Sequence, residues 1–187
     1  MNPQKKTEDY FLKTCSVCAG ARLQKIISRR PFPPVSRPYE RVHVDLIVMN
    51  TAFNGAKYAL HSCDQFSKYH DLYPLHSKTG VRTTLDRLDA KVKRQYGVTI
   101  AIIHIDGEGN IQSKEAIIWA EDKGYKIETT AADSPEQNGL SERSCGMISQ
   151  RARALAIQAK LPKSLWPEIY GAAVHLINIT PTKCEEA

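Results

Sequence analysis

The sequence predicts an α/β fold in which a mixed β-sheet is flanked by helices on both faces. Two observations support this prediction. Three short segments, the first of them rich in Val and Ile, follow one another with turn residues between the first two, which is typical of antiparallel strands. Two further predicted strands, the first of them a continuous apolar run, are each preceded by a helical pattern, and a helix is the usual connection between parallel strands. The 187 residues suffice for one domain of ordinary size with a small appendage.

The three antiparallel strands are predicted at residues 41–49, 57–64 and 68–75. In the first of them Val and Ile alternate with other residues, as in a strand with one buried face. Asn54-Gly55 lies between the first and second segments and is a strong signal for a hairpin turn.

The first helix is predicted at residues 80–96, where apolar residues recur three or four positions apart and Gly97 provides a stop. Residues 98–105 then form a continuous apolar run, which is the pattern of a strand buried on both faces. A short helix at 113–123 leads into a further strand at 125–130. The sheet should therefore contain five strands.

Two helices end the predicted order of elements. The central helix presents one apolar face and begins either at Pro135, within a Ser-Pro-Glu-Gln capping pattern, or near Leu140, beyond the interruption at Gly139. The last helix is predicted at residues 165–179, with Ser164 as its N-cap.

The composition is that of a globular protein. Charged residues make up 25% and apolar residues 42% of the sequence, and no apolar run reaches the roughly 18 residues of a membrane-spanning helix. The start of the chain lacks the apolar segment of a secretion signal, and the five cysteines are scattered rather than arranged as a disulfide framework. We therefore expect an intracellular protein that does not associate with membranes. The net charge of +6 favours polyanionic partners.

Residues 1–38 are predicted to lie outside the packed domain, which would occupy residues 39–187. This first segment contains Cys15 and Cys18, a basic stretch, and prolines that keep the chain extended. Two cysteines at this spacing supply half of a tetrahedral zinc site, which needs two more ligands. They form either part of a complete zinc site within the chain, for which the nearest downstream histidine is His43 in a predicted strand, or an orphaned half-site.

Three acidic residues are candidates for a shared site: Asp45, Asp106 and Glu142. A carboxylate inside an apolar strand, as at Asp45, is costly if it is buried without a partner, so it should face a cleft, a cation or solvent. Asp106 follows the buried strand, where open α/β sheets bind ligands, although an Asp-Gly pair also suits a plain turn. Glu142 could simply complement the dipole of the central helix. The order of the elements favours convergence, because it places the first two acids on neighbouring strands and aims the central helix at both.

Three converging carboxylates without a paired cation are suited to divalent metal ions. Oxygen atoms are the ligands that Mg²⁺ and Mn²⁺ prefer. Two such ions about 3.5 to 4 Å apart can activate a nucleophile and stabilise the leaving oxygen in an in-line phosphoryl transfer.

The acids lie in three motifs: Val42-His43-Val44-Asp45-Leu46, His104-Ile105-Asp106-Gly107-Glu108 and Ser134-Pro135-Glu136-Gln137-Asn138-Gly139-Leu140-Ser141-Glu142-Arg143. Thirty-five residues separate Asp106 from Glu142. In these motifs and this spacing the chain resembles the D,D-35-E core of retroviral and retrotransposon integrases. The segments 64–69, 161–166 and 178–183 resemble the copia type in particular. The resemblance extends from about Cys15 to Lys183.

The resemblance implies an RNase H-like fold and a polynucleotidyl transferase in which Asp45, Asp106 and Glu142 hold two Mg²⁺ or Mn²⁺ ions. Two reactions would share the site: water trims the 3′ end of the element's DNA, and the freed hydroxyl then attacks target DNA. The implied partners are element ends and target DNA, bound by a homo-multimer. The implied locations are a cytoplasmic particle and, during integration, the nucleus.

The resemblance also implies a role for Cys15 and Cys18 as the second half of a His-His-Cys-Cys zinc module. The two histidines of that module would lie before the start of this sequence, so Zn²⁺ is expected only if the missing ligands are supplied elsewhere. The sequence also ends soon after the last predicted helix, without the C-terminal region that follows the core in full-length integrases.

The central helix carries further candidates for DNA contact. Gly146, Ser149 and Arg153 return to the face of Glu142 at helical spacing, and a hydroxyl and a guanidinium suit a DNA backbone, although an ordinary solvated face has the same pattern. The residues expected to contact DNA are Gln137, Asn138, Arg143, Ser149 and Arg153.

Three other residues lie close to the acids in sequence. His43 and His104 each precede an aspartate by two residues and so share its strand face. We expect them to line the cleft or the core rather than to bind metal, and we expect Glu108 to be a turn or DNA-end residue.

Two other functions remain open. One is a cut-and-paste transposase with the same acid triad, or an RNase H-type nuclease, either of which would differ in its substrate. The other is a catalytically silent retroelement fragment that binds nucleic acid; the half zinc site favours this function, and the complete triad opposes it.

Overall fold

The computed structural model describes residues 33–105, 111–129 and 135–181, and at residues 111–115, 129 and 135–142 it describes the backbone only. The elements in this part of the chain are, in order, β1 (Arg41–Val48), β2 (Tyr58–Asp64), β3 (His70–Leu75), α1 (Gly80–Tyr96), β4 (Ile102–Ile105), α2 (Ile111–Lys123), β5 (Lys126–Thr129), α3 (Pro135–Gln158), a 3₁₀ turn (Lys163–Leu165) and α4 (Trp166–Ile179).

The strands form a mixed five-stranded sheet in the order β3-β2-β1-β4-β5. β1 pairs with β2 and β2 pairs with β3 in the antiparallel direction, whereas β1 pairs with β4 and β4 pairs with β5 in parallel. The register places Asp45 opposite His61 on β2 and Val44 beside Ile105 on β4. The predicted mixed sheet flanked by helices is confirmed.

One face of the sheet packs against α1 and α2 and forms the main apolar core. Val42 and Val44 point to this face because side chains alternate along a strand. The helices contribute Leu85 and Leu88 from α1 and Trp119 from α2, and each of these three is at most 1% exposed. Burial of a Leu side chain stabilises a fold by about 1.5 to 3 kcal/mol, so this face supplies much of the stability.

The opposite face is covered by α3 and α4, which also pack against each other through an apolar cluster: Ile148, Ala152, Ile169, Ala173, Val174 and Ile177. α3 packs against β1 and β2. The strands are more polar on this side, where the alternation of β1 places His43 and Asp45. The molecule therefore has an apolar core on one face of its sheet and a polar layer beneath α3 on the other.

The structure confirms some predicted boundaries and corrects others. α1 spans Gly80–Tyr96, as predicted, and Gly97 ends it with a φ of 66°. β4 is shorter than the predicted 98–105, because its partner β1 begins only at Arg41, which pairs with Ile102. α3 begins at Pro135, the earlier of its two predicted starts.

The predicted N-cap of the last helix, Ser164, is wrong. Ser164 lies inside the 3₁₀ turn that precedes α4, and Leu165 occupies the N-cap position without a side-chain cap. The carbonyl of Ser164 accepts a hydrogen bond from the backbone N–H of Phe53 at 2.9 Å. The segment is therefore anchored to the loop after β1 rather than capped by a hydroxyl.

α4 is also fastened to the edge strand β3. The side-chain amide of Asn178 accepts a hydrogen bond from the N–H of His70 at 2.9 Å and donates one to the carbonyl of the same residue at 2.8 Å. No helix in the described part of the chain is both long enough and apolar enough to cross a membrane.

Residues 1–32, which include Cys15 and Cys18, lie outside the described residues. The zinc half-site and the boundary between residues 38 and 39 therefore stay predictions. Within the described segment that precedes β1, Val35 is buried.

Candidate functional site

Asp45 lies in the second half of β1, half-buried beneath α3. The Sγ atom of Cys145, on α3, lies 3.5 Å from Oδ2 of Asp45 and 3.5 Å from Nδ1 of His61. Since Asp45 and His61 are register partners on neighbouring strands, one helix side chain bridges a cross-strand pair. This contact locates the candidate site where α3 crosses the sheet.

The polar contacts continue from this pair towards the sheet edge. Nε2 of His61 lies 3.1 Å from Nδ1 of His70, on β3. One proton assignment gives every contact a hydrogen: His70 donates to His61, His61 donates to Cys145, and the thiol donates to the carboxylate of Asp45. The carboxylate of Asp45 ends this series of hydrogen bonds, because an ionised carboxylate can accept hydrogen bonds but cannot donate one.

Burial keeps these histidines neutral at physiological pH. It lowers the pKa of His61 to about 3 and that of His70 to about 4. The nearby His70 and His43 lower the pKa of His61 further. The polar layer therefore adds hydrogen-bonding groups beside Asp45 without adding positive charge from these rings.

His43 and His104 form a second buried pair, on β1 and β4. Their Nδ1 atoms are 3.1 Å apart, and Nε2 of His43 lies 3.2 Å from Oε1 of Gln65. That amide oxygen also accepts from Arg41 at 3.1 Å, so His43 must donate through Nε2 and accept from His104 through Nδ1. Burial lowers the pKa of His43 to about 3. Both rings are core side chains, as expected from the sequence.

Of the three predicted acids, the structure describes the side chain of Asp45 only. Asp106 and Glu108 lie outside the described residues, directly after β4. Glu142, Gln137 and Asn138 lie in the first part of α3, residues 135–142, where only the backbone is described.

The backbone nevertheless relates Glu142 and β4 to Asp45. Glu142 precedes Cys145 by three residues on α3, and residues three apart lie on the same side of a helix. Ile105 at the end of β4 pairs with Val44, the residue before Asp45. Among the side chains that the structure describes, no group of three or more His, Cys, Asp or Glu residues is placed to hold a metal ion. The metal site stays a prediction.

The predicted DNA-contacting residues on α3 that can be placed lie beside two different cavities. Ser149 and Arg153 line a cavity of about 560 Å³ at the start of α4, where the hydroxyl of Tyr170 lies 3.4 Å from that of Ser149. Arg143 instead lines a separate cavity of about 220 Å³ together with Lys68 and Arg151. The role of these residues in DNA contact stays a prediction.

Cys145 and His61 were not predicted from the sequence to be site residues. A signal for each was present. Cys145 follows Glu142 by three residues, which is helical spacing, and His61 sits in a strand predicted to pair with the Asp45 strand. Their contact could not be inferred, because it depends on how α3 is rotated over the sheet.

The architecture defines an RNase H-like fold, the class shared by the catalytic cores of retroviral integrases. The structure of the HTLV-2 integrase catalytic core domain in complex with magnesium superposes with a TM-score of 0.50 at 19% identity, over 73% of this chain and 83% of that chain. A chain in the simian T-cell lymphotropic virus intasome complex with PP2A regulatory subunit B56 gamma matches with a TM-score of 0.63 at 15% identity, over 97% of this chain and 70% of that chain.

In sequence, the chain is similar to the retrovirus-related Pol polyprotein from transposon RE2 of Arabidopsis thaliana. The two are 28% identical over 183 residues, which is 97% of this chain and 12% of the polyprotein. The chain thus spans about an eighth of that relative's length. No protein-family model matches the chain.

Proposed function

We propose that this chain is the catalytic core of a retroelement integrase, a polynucleotidyl transferase that processes DNA 3′ ends and transfers them into target DNA. The observation that supports this proposal most directly is the contact of Cys145 with Asp45. It fixes α3 over β1 at a point one helical turn from Glu142, so two of the three acids belong to elements in contact.

The parallel pairing of β1 and β4 supports the inclusion of Asp106. Val44 and Ile105 are register partners, and each directly precedes an acid in the chain. Neighbouring strands lie about 4.8 Å apart, so Ile105, the residue that precedes Asp106 in the chain, lies beside the strand that carries Asp45.

The donor set fits Mg²⁺ or Mn²⁺ rather than a softer metal. Asp45, Asp106 and Glu142 offer carboxylate oxygens, the ligands that these two ions prefer. The bound ions would supply an activated nucleophile and stabilise the leaving oxygen. The role of the chain itself is to hold the carboxylates: the Cys145 thiol donates to Oδ2 of Asp45, and the neutral His61 lies behind the thiol.

The relatives support the substrate class. The similar plant protein is a retrovirus-related Pol polyprotein, and the HTLV-2 integrase core was solved with magnesium. We propose element ends and target DNA as substrates, a homo-multimer as the working assembly, and the nucleus as the site of integration after a cytoplasmic particle. A zinc ion at Cys15 and Cys18 would require two ligands from outside this sequence.

The test is a strand-joining assay with purified chain, a labelled DNA end and plasmid DNA in Mn²⁺. We expect Asp45→Asn, Asp106→Asn and Glu142→Gln each to reduce joining by at least about 100-fold, because metal ions contribute several kcal/mol to such reactions. Glu121→Gln, a change at an exposed acid on α2, is the matched control and should leave joining unchanged. Circular dichroism should show that every variant is folded.

The products separate integrase from the other functions. Joining that is unaffected by all three changes at the acids would falsify the proposal. Internal nicking of the plasmid, or cutting of an RNA–DNA hybrid without joining, would indicate a nuclease or a transposase instead. DNA binding without any metal-dependent product would indicate a silent fragment.

A further inference from the structure

The cavity of about 560 Å³ at the start of α4 is mainly apolar. Its lining includes four large apolar side chains, Met49, Ile157, Leu161 and Trp166. Ile157 is 71% exposed and Leu161 is 40% exposed, so the apolar surface continues from the cavity onto its rim. Binding cavities of roughly 300 to 1,000 Å³ with a mainly apolar lining are typical of proteins. We call this cavity and its rim the apolar groove.

Hydrogen bonds between separate segments fix the walls of the apolar groove. The indole N–H of Trp166 donates to the carbonyl of Asn50 at 2.8 Å, which joins α4 to the loop after β1. The N–H of Phe53, in the same loop, donates to the carbonyl of Ser164 at 2.9 Å. Trp166 is 4% exposed and packs edge-to-face on Tyr170, with ring centroids 6.2 Å apart. The groove is therefore preformed, and a preformed surface loses less conformational entropy when it binds a partner.

The charged side chains that line the apolar groove are both positive. Arg153 on α3 and Lys163 in the 3₁₀ turn are exposed lining residues, and no described lining residue is acidic. Glu168, the acid in the first turn of α4, does not line the groove. Within the described part of the chain, neither cation forms an ion pair. The groove therefore presents two unneutralised positive charges beside an apolar surface.

The apolar lining favours a protein partner over DNA. A DNA backbone offers phosphates and sugars, which are recognised through charge and hydrogen bonds rather than through apolar side chains. An amphipathic segment of a protein instead places its apolar face in a hydrophobic groove, and complementary charges at the rim orient it. A second copy of this chain is disfavoured, because a symmetric contact through the groove would bring the two pairs of cations together.

We propose that the apolar groove binds a short segment of a partner protein in which apolar residues at helical spacing are flanked by acidic residues. The apolar side chains enter the cavity beside Trp166, and the acids pair with Arg153 and Lys163 at the rim. Docking does not depend on strand joining, because none of the three proposed acids lines the groove. Arg153, a predicted DNA contact, is here assigned to a protein partner.

The test selects phage-displayed random peptides of about 14 residues on the immobilised wild-type chain. The selected peptides should carry apolar residues three and four positions apart and an excess of Asp and Glu. Selection on Arg153→Glu/Lys163→Glu should instead enrich Lys and Arg among peptides with the same apolar pattern. A preference that reverses with the sign of the rim charges cannot result from misfolding. The same peptide charge for both proteins would overturn the proposal.

A matched control reverses two charges on the other face of the sheet. Arg87 and Arg94 are exposed on α1, and Arg87→Glu/Arg94→Glu changes the net charge by the same amount. This control should select acidic peptides, as the wild type does. Selection of basic peptides by the control would show that the net charge of the chain, rather than the groove, determines the preference, and would overturn the proposal.

A second measurement follows binding of the most enriched acidic peptide by fluorescence anisotropy. Ile157→Ser should weaken binding about 10-fold, because the peptide no longer buries the exposed Ile157 side chain. The matched control is Ile118→Ser, at a 50% exposed position on α2, and it should change the affinity by less than about twofold. Wild-type affinity in Ile157→Ser would overturn the groove as the binding surface.

Two competing occupants are tested with the same proteins. At about 150 mM salt, a short DNA duplex should not displace the enriched peptide from the wild type. Sedimentation velocity should show the same oligomeric state for the wild type and for Ile157→Ser. Displacement by DNA would identify the groove as a DNA contact, and loss of a dimer in Ile157→Ser would identify it as an interface between copies of this chain. Either result would overturn the proposal.

Discussion

Cys145 is the side chain through which α3 contacts both Asp45 and His61. Its half-buried sulfur therefore offers a thiol reagent a point of reaction beside a proposed metal ligand. Cys63, on the neighbouring strand, differs in its environment. It is 1% exposed, and burial raises the pKa of its thiol to about 12, which makes it unreactive at neutral pH.

This difference predicts a selective inhibition. N-ethylmaleimide should abolish strand joining by the wild type, because an adduct on Cys145 would occupy the space over Asp45. Cys145→Ser keeps a hydroxyl donor to Asp45 and offers the reagent no thiolate at this position, so it should retain at least about half of its own untreated activity under the same treatment. Mass spectrometry should identify the alkylated cysteines.

The matched control for this experiment is Cys63→Ser, which should stay as sensitive to the reagent as the wild type. Inhibition of Cys145→Ser to the same extent as the wild type would show that another thiol is responsible, with Cys15, Cys18 and Cys184 the remaining cysteines in the chain.

Side-chain positions were predicted correctly where the alternation of residues along a single strand determines them. His43 and His104 were assigned to the cleft or core from their position two residues before an aspartate, and both are buried. The Cys145–His61 contact joins residues 84 positions apart. This contact depends on how α3 is rotated over the sheet, and the spacing of residues along the sequence does not determine that rotation.

At the scale of elements, α1 was predicted at its observed bounds because two independent signals ended at the same residue. The apolar periodicity stops at Tyr96, and Gly97 follows with the left-handed backbone that ends a helix. β4 was predicted too long because an apolar run reports burial, whereas a strand also needs a partner. Residues 98–101 precede the start of the pairing with β1.

A glycine that ends a helix and a glycine inside a helix should respond to substitution in opposite directions. Gly97→Ala forces a side chain into a φ of +66° and should lower the free energy of unfolding by about 1 kcal/mol. At Gly171, inside α4, a Cβ would meet no described atom within 4 Å, so Gly171→Ala should raise stability by about 0.5 to 1 kcal/mol.

Urea denaturation measures both effects, and the slope m should stay constant in both variants. A stabilising Gly97→Ala would contradict the role of that residue as the helix stop. Gly171 is exposed and an added Cβ would contact no described atom, so Gly171→Ala should leave strand joining unchanged.

At the scale of the whole molecule, the two faces of the sheet differ in their response to pH. The face beneath α3 buries His43, His61 and His70, whose pKa values burial lowers to about 3, 3 and 4 from an ordinary 6.5. The unfolded chain therefore binds protons that the folded protein excludes. Stability should be full above pH 6.5 and fall as the pH drops from there towards 4.

The expected slope approaches about 4 kcal/mol per pH unit, because each of three protons contributes about 1.4. Urea denaturation between about pH 7 and pH 5 measures it. His61→Gln should reduce the slope by roughly a third, whatever its effect on stability at neutral pH. His175→Gln, at an exposed position on α4, should leave the slope unchanged, and a slope insensitive to His61→Gln would contradict the prediction.

The fold as a whole was predictable because the order of strands and helices constrains how a sheet can be wound. Three consecutive strands followed by two helix–strand units admit few arrangements, and the observed one is among them. The sequence could not predict that Arg143 and Arg153, which are both on α3, lie beside different cavities. Arg153 lies beside the start of α4, whereas Arg143 lies beside the β2–β3 turn and the end of α4.

The amide of Asn178 has a consequence for solubility. β3 is an edge strand, and edge strands expose N–H and C=O groups to which another chain can pair and begin aggregation. Asn178 occupies both groups of His70, and Pro74 on the same strand has no N–H to offer. A side chain on the last helix and a proline thus close much of this edge to an incoming strand without a covering sixth strand.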